Sequence, residues 1–166
     1  VYEPTEEHIR ATLAETRSLG RLIEDLRVLS LAEAGELPLA REQIDVGELL
    51  ADVQTSFSGQ AEAAGIALTV ASLPASLTVT GDAGRLDQVL NNLVANALRH
   101  TPAGGGVTLS VAERQDKVAV SVSDTGQGIA EEDLPYVFDR FWRGDRARDR
   151  SAGHSGLGLA IARQLA

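Results

Sequence analysis

Cysteine and methionine are both absent from the 166-residue sequence, methionine even at position 1, and aromatic residues make up only 4%. Without cysteine there is neither a disulfide framework nor a thiolate metal site. Without an initiating Met the chain reads as a piece of a longer protein. No apolar run approaches a bilayer span, and no basic start with a small-residue cleavage site marks a signal peptide. Positive charge is also short: 15 Lys and Arg stand against 24 Asp and Glu, a formal net charge of −9. Such a balance argues against nucleic acid or an anionic membrane as partner, because phosphate groups select positive faces. What remains is an ordinary globular composition, 43% hydrophobic and 23% charged. The length suits one good core, or one domain with an appendage.

Patterning divides the chain near residue 37. Pro4 and Thr5 open a helix, with Glu6 and Glu7 at the positive end of its dipole. Ile9, Leu19, Leu22, Ile23, Leu26 and Leu29 then form a broad apolar stripe suited to a helical bundle. Gly35 supplies a left-handed stop, Pro38 follows, and Glu36 to Arg41 reads as a linker or extended crossing. Asp45 caps a second helix with Glu48 completing a box-like cap; Val46, Leu49, Leu50, Val53 and Phe57 form its apolar face, and Gly65 ends it.

Alternation predicts strands at Ile66–Leu68–Val70 and Leu77–Val79, joined through Pro74. Asp82 caps a third helix whose inner face is Leu86, Val89, Leu90, Leu93 and Ala97. After a turn at Pro102 and Gly104–Gly106, a hairpin about Gln115–Asp116 joins Val107–Val111 to Val118–Val122. A Gly-rich loop, an Arg-rich loop and a last helix starting near Gly156 complete the chain. This order of elements predicts an α+β fold with helices on one face of a mixed sheet.

Three clusters carry chemistry. Asn92, Asn96 and Arg99 share one face of the third helix. Two amide oxygens and a guanidinium suit a Mg²⁺–polyphosphate group, although solvated polar residues on an exposed face have the same pattern. Asp124-Thr-Gly-Gln-Gly128 follows a strand. Its glycines permit close backbone approach to a flat ligand, and its carboxylate can accept from an exocyclic amine; a plain tight turn also explains it. Gly153-His-Ser-Gly-Leu-Gly-Leu159 runs into a helix, where free N–H groups form an anion site, or else simply a capped loop.

Together these pieces resemble the N, G1 and G2 boxes of bacterial sensor histidine kinases, in that family's order. Leu86–Pro102 looks like the N box, Asp124–Gly128 like G1, Gly153–Leu159 like G2, and Val137-Phe-Asp-Arg-Phe-Trp-Arg-Gly144 like the F box. Upstream, Ser18–Gly35 is similar to the second helix of the family's dimerisation and phosphotransfer hairpin. The resemblance implies residues 1–37 as part of that hairpin. It also implies 38–166 as the catalytic ATP-binding domain, a two-layer α/β sandwich of the histidine kinase/gyrase-type ATPase superfamily. Other members of that superfamily, such as anti-sigma serine kinases or chaperone and gyrase ATPases, are the alternative, as is a non-catalytic nucleotide-binding dimer module. The F box, the Gly156-Leu-Gly-Leu-Ala160 start of the last helix and the hairpin helix speak against the former, and the intact Asn96, Asp124 and G2 glycines against the latter.

By position, the resemblance makes Asn96 the Mg²⁺ ligand, with Asn92 beside the phosphates. Arg99 holds the polyphosphate, and His100 stands next to the nucleotide. Asp124 reads the adenine amine, with Gly126, Gly128 and Ile129 around the base. Gly156, Leu157 and Gly158 lie on the phosphate side of the ATP lid, with Phe138 and Phe141 as lid anchors. It gives Arg140, Arg143, Arg146, Arg148 and Arg150 a place in a lid near phosphates, although for each of the last three a solvated loop is the better explanation. It further implies ATP and Mg²⁺ as cofactors, a homodimer through the hairpin bundle, and a response regulator receiver domain as partner. The domain would be cytoplasmic, its parent anchored in the bacterial inner membrane. Two departures stand out. None of His8, His100 and His154 lies in a segment like the family's phospho-accepting box, and the family continues beyond the last helix with two strands that this sequence does not contain.

Overall fold

Each of the first three helices starts where a side chain takes up its first N–H groups. The computed structural model describes residues 5–71, 77–115, 117–142 and 155–166. Pro4, Pro74, Asp116, Arg143, Gly144, Arg146, Arg148, Arg150, Gly153 and His154 lie outside the described residues. Two compact units result: Val1–Leu37 with Pro135–Gln164, and Pro38–Leu134 with Leu165–Ala166.

In the first unit, helix α1 spans Glu6–Glu33. Thr5 caps it in a full capping box with His8, whose Nδ1 lies 2.8 Å from the Thr5 hydroxyl. Gly35, at φ +70°, provides the left-handed stop. The apolar stripe is only partly covered: Val28 and Leu29 are buried, whereas Ile9, Leu13, Leu19, Ile23 and Leu26 are exposed. Helix α4, Gly158–Leu165, begins two residues after Gly156 and buries Ala160, Ile161 and Ala162. The Arg140 guanidinium pairs with the Glu33 carboxylate at the end of α1. The Arg163 guanidinium lies 5.7 Å from the centre of the Phe138 ring.

In the second unit, strand β1 (Glu42–Asp45) leads directly into helix α2 (Val46–Ala64). Asp45 Oδ1 accepts from the N–H groups of Gly47 and Glu48, and Gly65 at φ +66° ends the helix. Strands β2 (Ala67–Val70) and β3 (Thr78–Gly81) follow. Asp82 caps helix α3 (Ala83–His100). The hairpin of β4 (Gly106–Arg114) and β5 (Lys117–Asp124) has Arg114 paired with Lys117.

A mixed sheet in the order β2-β4-β5 has its first pair parallel and its second antiparallel. Helices α2 and α3 pack on one of its faces, enclosing Leu50, Val53, Val94, Val107 and Leu109 at 0% exposure. Each such side chain contributes about 1.5–3 kcal/mol relative to leaving it wet. This is the α+β layering that the element order predicts.

Two local expectations change. Strand β1 is not foreshadowed by any alternation in the sequence. It pairs antiparallel with β3, Ile44 opposite Val79, to make a separate two-stranded sheet. Its four residues carry little alternation of their own, so the pairing comes from a partner far along the chain. The inner face of α3 is also rotated: Val94 and Leu98 are buried with Val89, Leu90 and Ala97, while Leu86 and Leu93 are half-buried.

Candidate nucleotide-binding site

Helix α3 presents three asparagines in unlike surroundings. Asn91 Nδ2 donates to Asp87 Oδ2 at 2.7 Å and is spent within the helix. Asn92 is half-buried, and its buried Nδ2 has no hydrogen-bond partner among the described residues. Leaving a buried amide donor unpaired costs about 1–3 kcal/mol, a cost that an acceptor such as a phosphate oxygen would offset. One turn on, Asn96 is half-buried, and Arg99 after it is exposed. The chemistry of this set suits a hard cation shared with a polyphosphate better than a protein-only metal cage. Among the described residues there is no cluster of three His, Cys, Asp or Glu that could hold a metal.

The C-terminal end of α3 meets the loop after β5. His100 carries a pKa lowered by burial first and by the Arg99 charge second, while the Asp124 carboxylate pulls it the other way. Asp124 itself is exposed, and its Oδ1 accepts from Gly126 N–H at 2.8 Å. The other carboxylate oxygen has no partner among the described residues, and is available to a donor on a ligand. Gly126 is needed by the protein as well as by any ligand: a Cβ there would collide with the His100 carbonyl and the Asp124 carboxylate. Gly128, at φ +68° with open space around it, is the glycine whose freedom serves the loop's conformation and approach. Ile129 next to it is 50% exposed, a large apolar side chain left uncovered beside this loop.

The structure thus brings Arg99, His100, Asp124 and Gly126 together in the second unit. Gly156, Leu157 and Gly158 belong to the first. There Gly156 adopts φ +67°, its carbonyl accepts from Phe141 N–H, and a Cβ on it would stand 2.9 Å from the Phe141 and Trp142 backbone. Leu157 is fully buried, so its side chain belongs to the core, and its N–H donates to Ser155 Oγ at 3.2 Å. Phe138 and Phe141 are both exposed.

Thr101, Gly105, Gly106 and Thr125, which carry no individual role in the sequence motifs, knit α3 to the loop. Thr101 is buried with its hydroxyl on Ala97 O, and the Thr125 hydroxyl accepts from Gly106 N–H. Extending the hairpin register one step past Val107–Asp124 would have indicated the second contact.

Residues 81–166 match the family described as histidine kinase-, DNA gyrase B-, and HSP90-like ATPase. The chain is 37% identical over 157 residues to the signal transduction histidine-protein kinase BaeS of Escherichia coli (strain K12), covering 95% of this chain and 33% of BaeS. The full-length histidine kinase ShkA, solved in complex with AMPPNP, superposes with a TM-score of 0.80 at 32% identity, over 99% of this chain and 34% of ShkA. The histidine kinase ThkA, solved with the response regulator protein TrrA, gives a TM-score of 0.65 at 26% identity, over 86% of this chain and 42% of ThkA. The chain belongs to the histidine kinase-, DNA gyrase B-, and HSP90-like ATPase family. Within it, this is the ATP-binding catalytic portion of a sensor histidine kinase. The chain spans about a third of the length of the curated relatives it matches.

Proposed function

We propose that the chain binds ATP with Mg²⁺ and serves a parent kinase that moves the γ-phosphoryl group to a histidine and thence to a response regulator's aspartate. In this reading residues 38–166 are the ATP-binding domain, and α1 is one helix of a hairpin through which the parent dimerises. The arrangement that carries it is the meeting of Asp124 with the end of α3, a helix that also carries an asparagine whose buried amide has no partner among the described residues.

Asp124 would accept from the adenine amine, with Gly126 and Gly128 shaping the loop and Ile129 beside the base. Asn92, Arg99 and His100 would line the phosphates and the nucleotide. Asn96 would give Mg²⁺ its protein oxygen, and Gly156 and Gly158 would present backbone N–H groups. Mg²⁺ supplies charge neutralisation on the phosphates when bound. The chain's own residues orient the nucleotide, and positioning provides most of the rate in such transfers. Anchorage of the parent in a membrane belongs to the same reading; among the described residues no helix is long and apolar enough to cross one.

Asp124→Ala is the test. Adenine would lose one acceptor, so ATP should bind more weakly by about 1–3 kcal/mol, measured by calorimetry. Unchanged affinity would sink the assignment.

A further inference from the structure

Where strand β5 ends, the β4–β5 ladder does not. Val107 and Asp124 are the last paired residues, and the next pair outward is Gly106 with Thr125. A hydrogen-bonded antiparallel pair exchanges two N–H···O=C bonds. Here Thr125 N–H donates to Gly106 O at 3.0 Å in the ordinary way. The return bond is different: Gly106 N–H donates at 2.9 Å to the Thr125 hydroxyl instead of to its carbonyl. The side chain stands in for a backbone acceptor, so the backbone after Thr125 is free to leave the sheet and turn into Gly126.

The neighbouring residues are shaped to permit this. A Cβ on Gly105 would lie 2.8 Å from the Thr125 hydroxyl, closer than real contacts allow. Gly105 is fixed in turn, its N–H on Pro102 O and its carbonyl accepting from Ala67 N–H. On the other side the Asp124 carboxylate is held by Gly126 N–H, and Gly126 lies against the His100 carbonyl. Thr125 therefore sits between the residue whose carboxylate faces outward and the residue that abuts α3.

We propose that Thr125 is a positioning residue: its hydroxyl, clamped on Gly106, sets the direction in which Asp124 offers its free carboxylate oxygen to the nucleotide base. The inference rests on the reading of Asp124 as the adenine contact. Thr125 need not touch the nucleotide; it acts through Asp124.

The test compares ATP with purine riboside triphosphate, which lacks the exocyclic amine, using calorimetry on the 166-residue chain. Thr125→Val keeps the shape and the backbone bond but leaves Gly106 N–H without its acceptor. It should weaken ATP about three- to tenfold, the range for loss of one neutral hydrogen bond, and leave the purine analogue unchanged. Thr125→Ser should restore ATP binding. Equal loss for both nucleotides would make the hydroxyl merely structural and overturn the proposal. So would unchanged ATP affinity in Thr125→Val while Asp124→Ala loses it, and that result would leave the adenine reading standing. If Asp124→Ala binds ATP as well as the parent sequence does, the adenine reading itself falls and the proposal with it.

Discussion

Asn96 and His100 occupy successive turns at the end of α3, and both invite measurements that depend on one side chain. Asn96→Ala should weaken nucleotide binding only when Mg²⁺ is present, because a hard cation then loses one of its few protein oxygens while adenine recognition is untouched. Titrations with and without Mg²⁺ that fall by the same factor would make Asn96 a packing residue. His100 predicts a pH effect. Its folded pKa is lowered, by burial first and then by Arg99, so the unfolded chain takes up the proton first as pH falls. Stability should therefore drop as pH passes down through the ordinary histidine range near about 6.5. Urea midpoints at pH 8 and pH 6 should show this drop, and His100→Gln should flatten it. An unaltered slope in that variant would mean that other groups carry the effect.

At the scale of elements, two predictions concern helix ends and one helix face. Gly65 ends α2 at φ +66°, where an added Cβ would meet Ala103 at an ordinary 3.6 Å. Space is therefore not the issue. Gly65→Ala should cost about 1–2 kcal/mol through left-handed backbone strain alone, read from chemical denaturation. Asp82 is a cap of another kind. Its carboxylate accepts from Ala40 N–H at 2.9 Å and from Arg85 N–H at 3.0 Å, tying the crossing before β1 to the start of α3. Those bonds hold its pKa below the usual carboxylate range, the Ala40 bond contributing most. Its contribution is thus present above that range and lost as pH falls below it. On α1, Ile9, Leu13, Leu19, Ile23 and Leu26 remain exposed although Val28 and Leu29 are covered. Burying one such side chain gains about 1.5–3 kcal/mol, so this face should pair with another copy or another helix. Light scattering on the chain should show a mass above the monomer at high concentration; a clean monomer would count against the pairing.

For the whole molecule, the prediction is that this chain binds ATP without phosphorylating itself. Phosphoryl transfer needs an acceptor nitrogen held in line with the γ-phosphate. The ring of His8 is engaged in the cap of α1, and His100 stands at the end of α3 that we propose faces the nucleotide. Incubation with γ-labelled ATP should leave no acid-labile label; a label would show His8, His100 or His154 to be an acceptor. The class of protein was legible before any coordinates, because it rests on residue types at short spacings: Asn92 and Asn96 one turn apart, Asp124 before two glycines, Gly156 and Gly158 before a helix. Helix starts at Thr5, Asp45 and Asp82 were legible too, since a cap depends on a side chain and the N–H groups two or three residues away. Other features depend on residues remote in sequence. Strand β1 exists because β3 pairs with it, and α3 turns Val94 and Leu98 inward because α2 and the sheet fill that side. Likewise the sequence motif explains Gly126 by close approach to a ligand, yet its missing side chain also makes room for the His100 carbonyl. Spacing along the chain determines which chemical groups are available, whereas burial and strand pairing are set by distant neighbours, so only the folded structure decided which of those groups are buried or paired and which stay exposed.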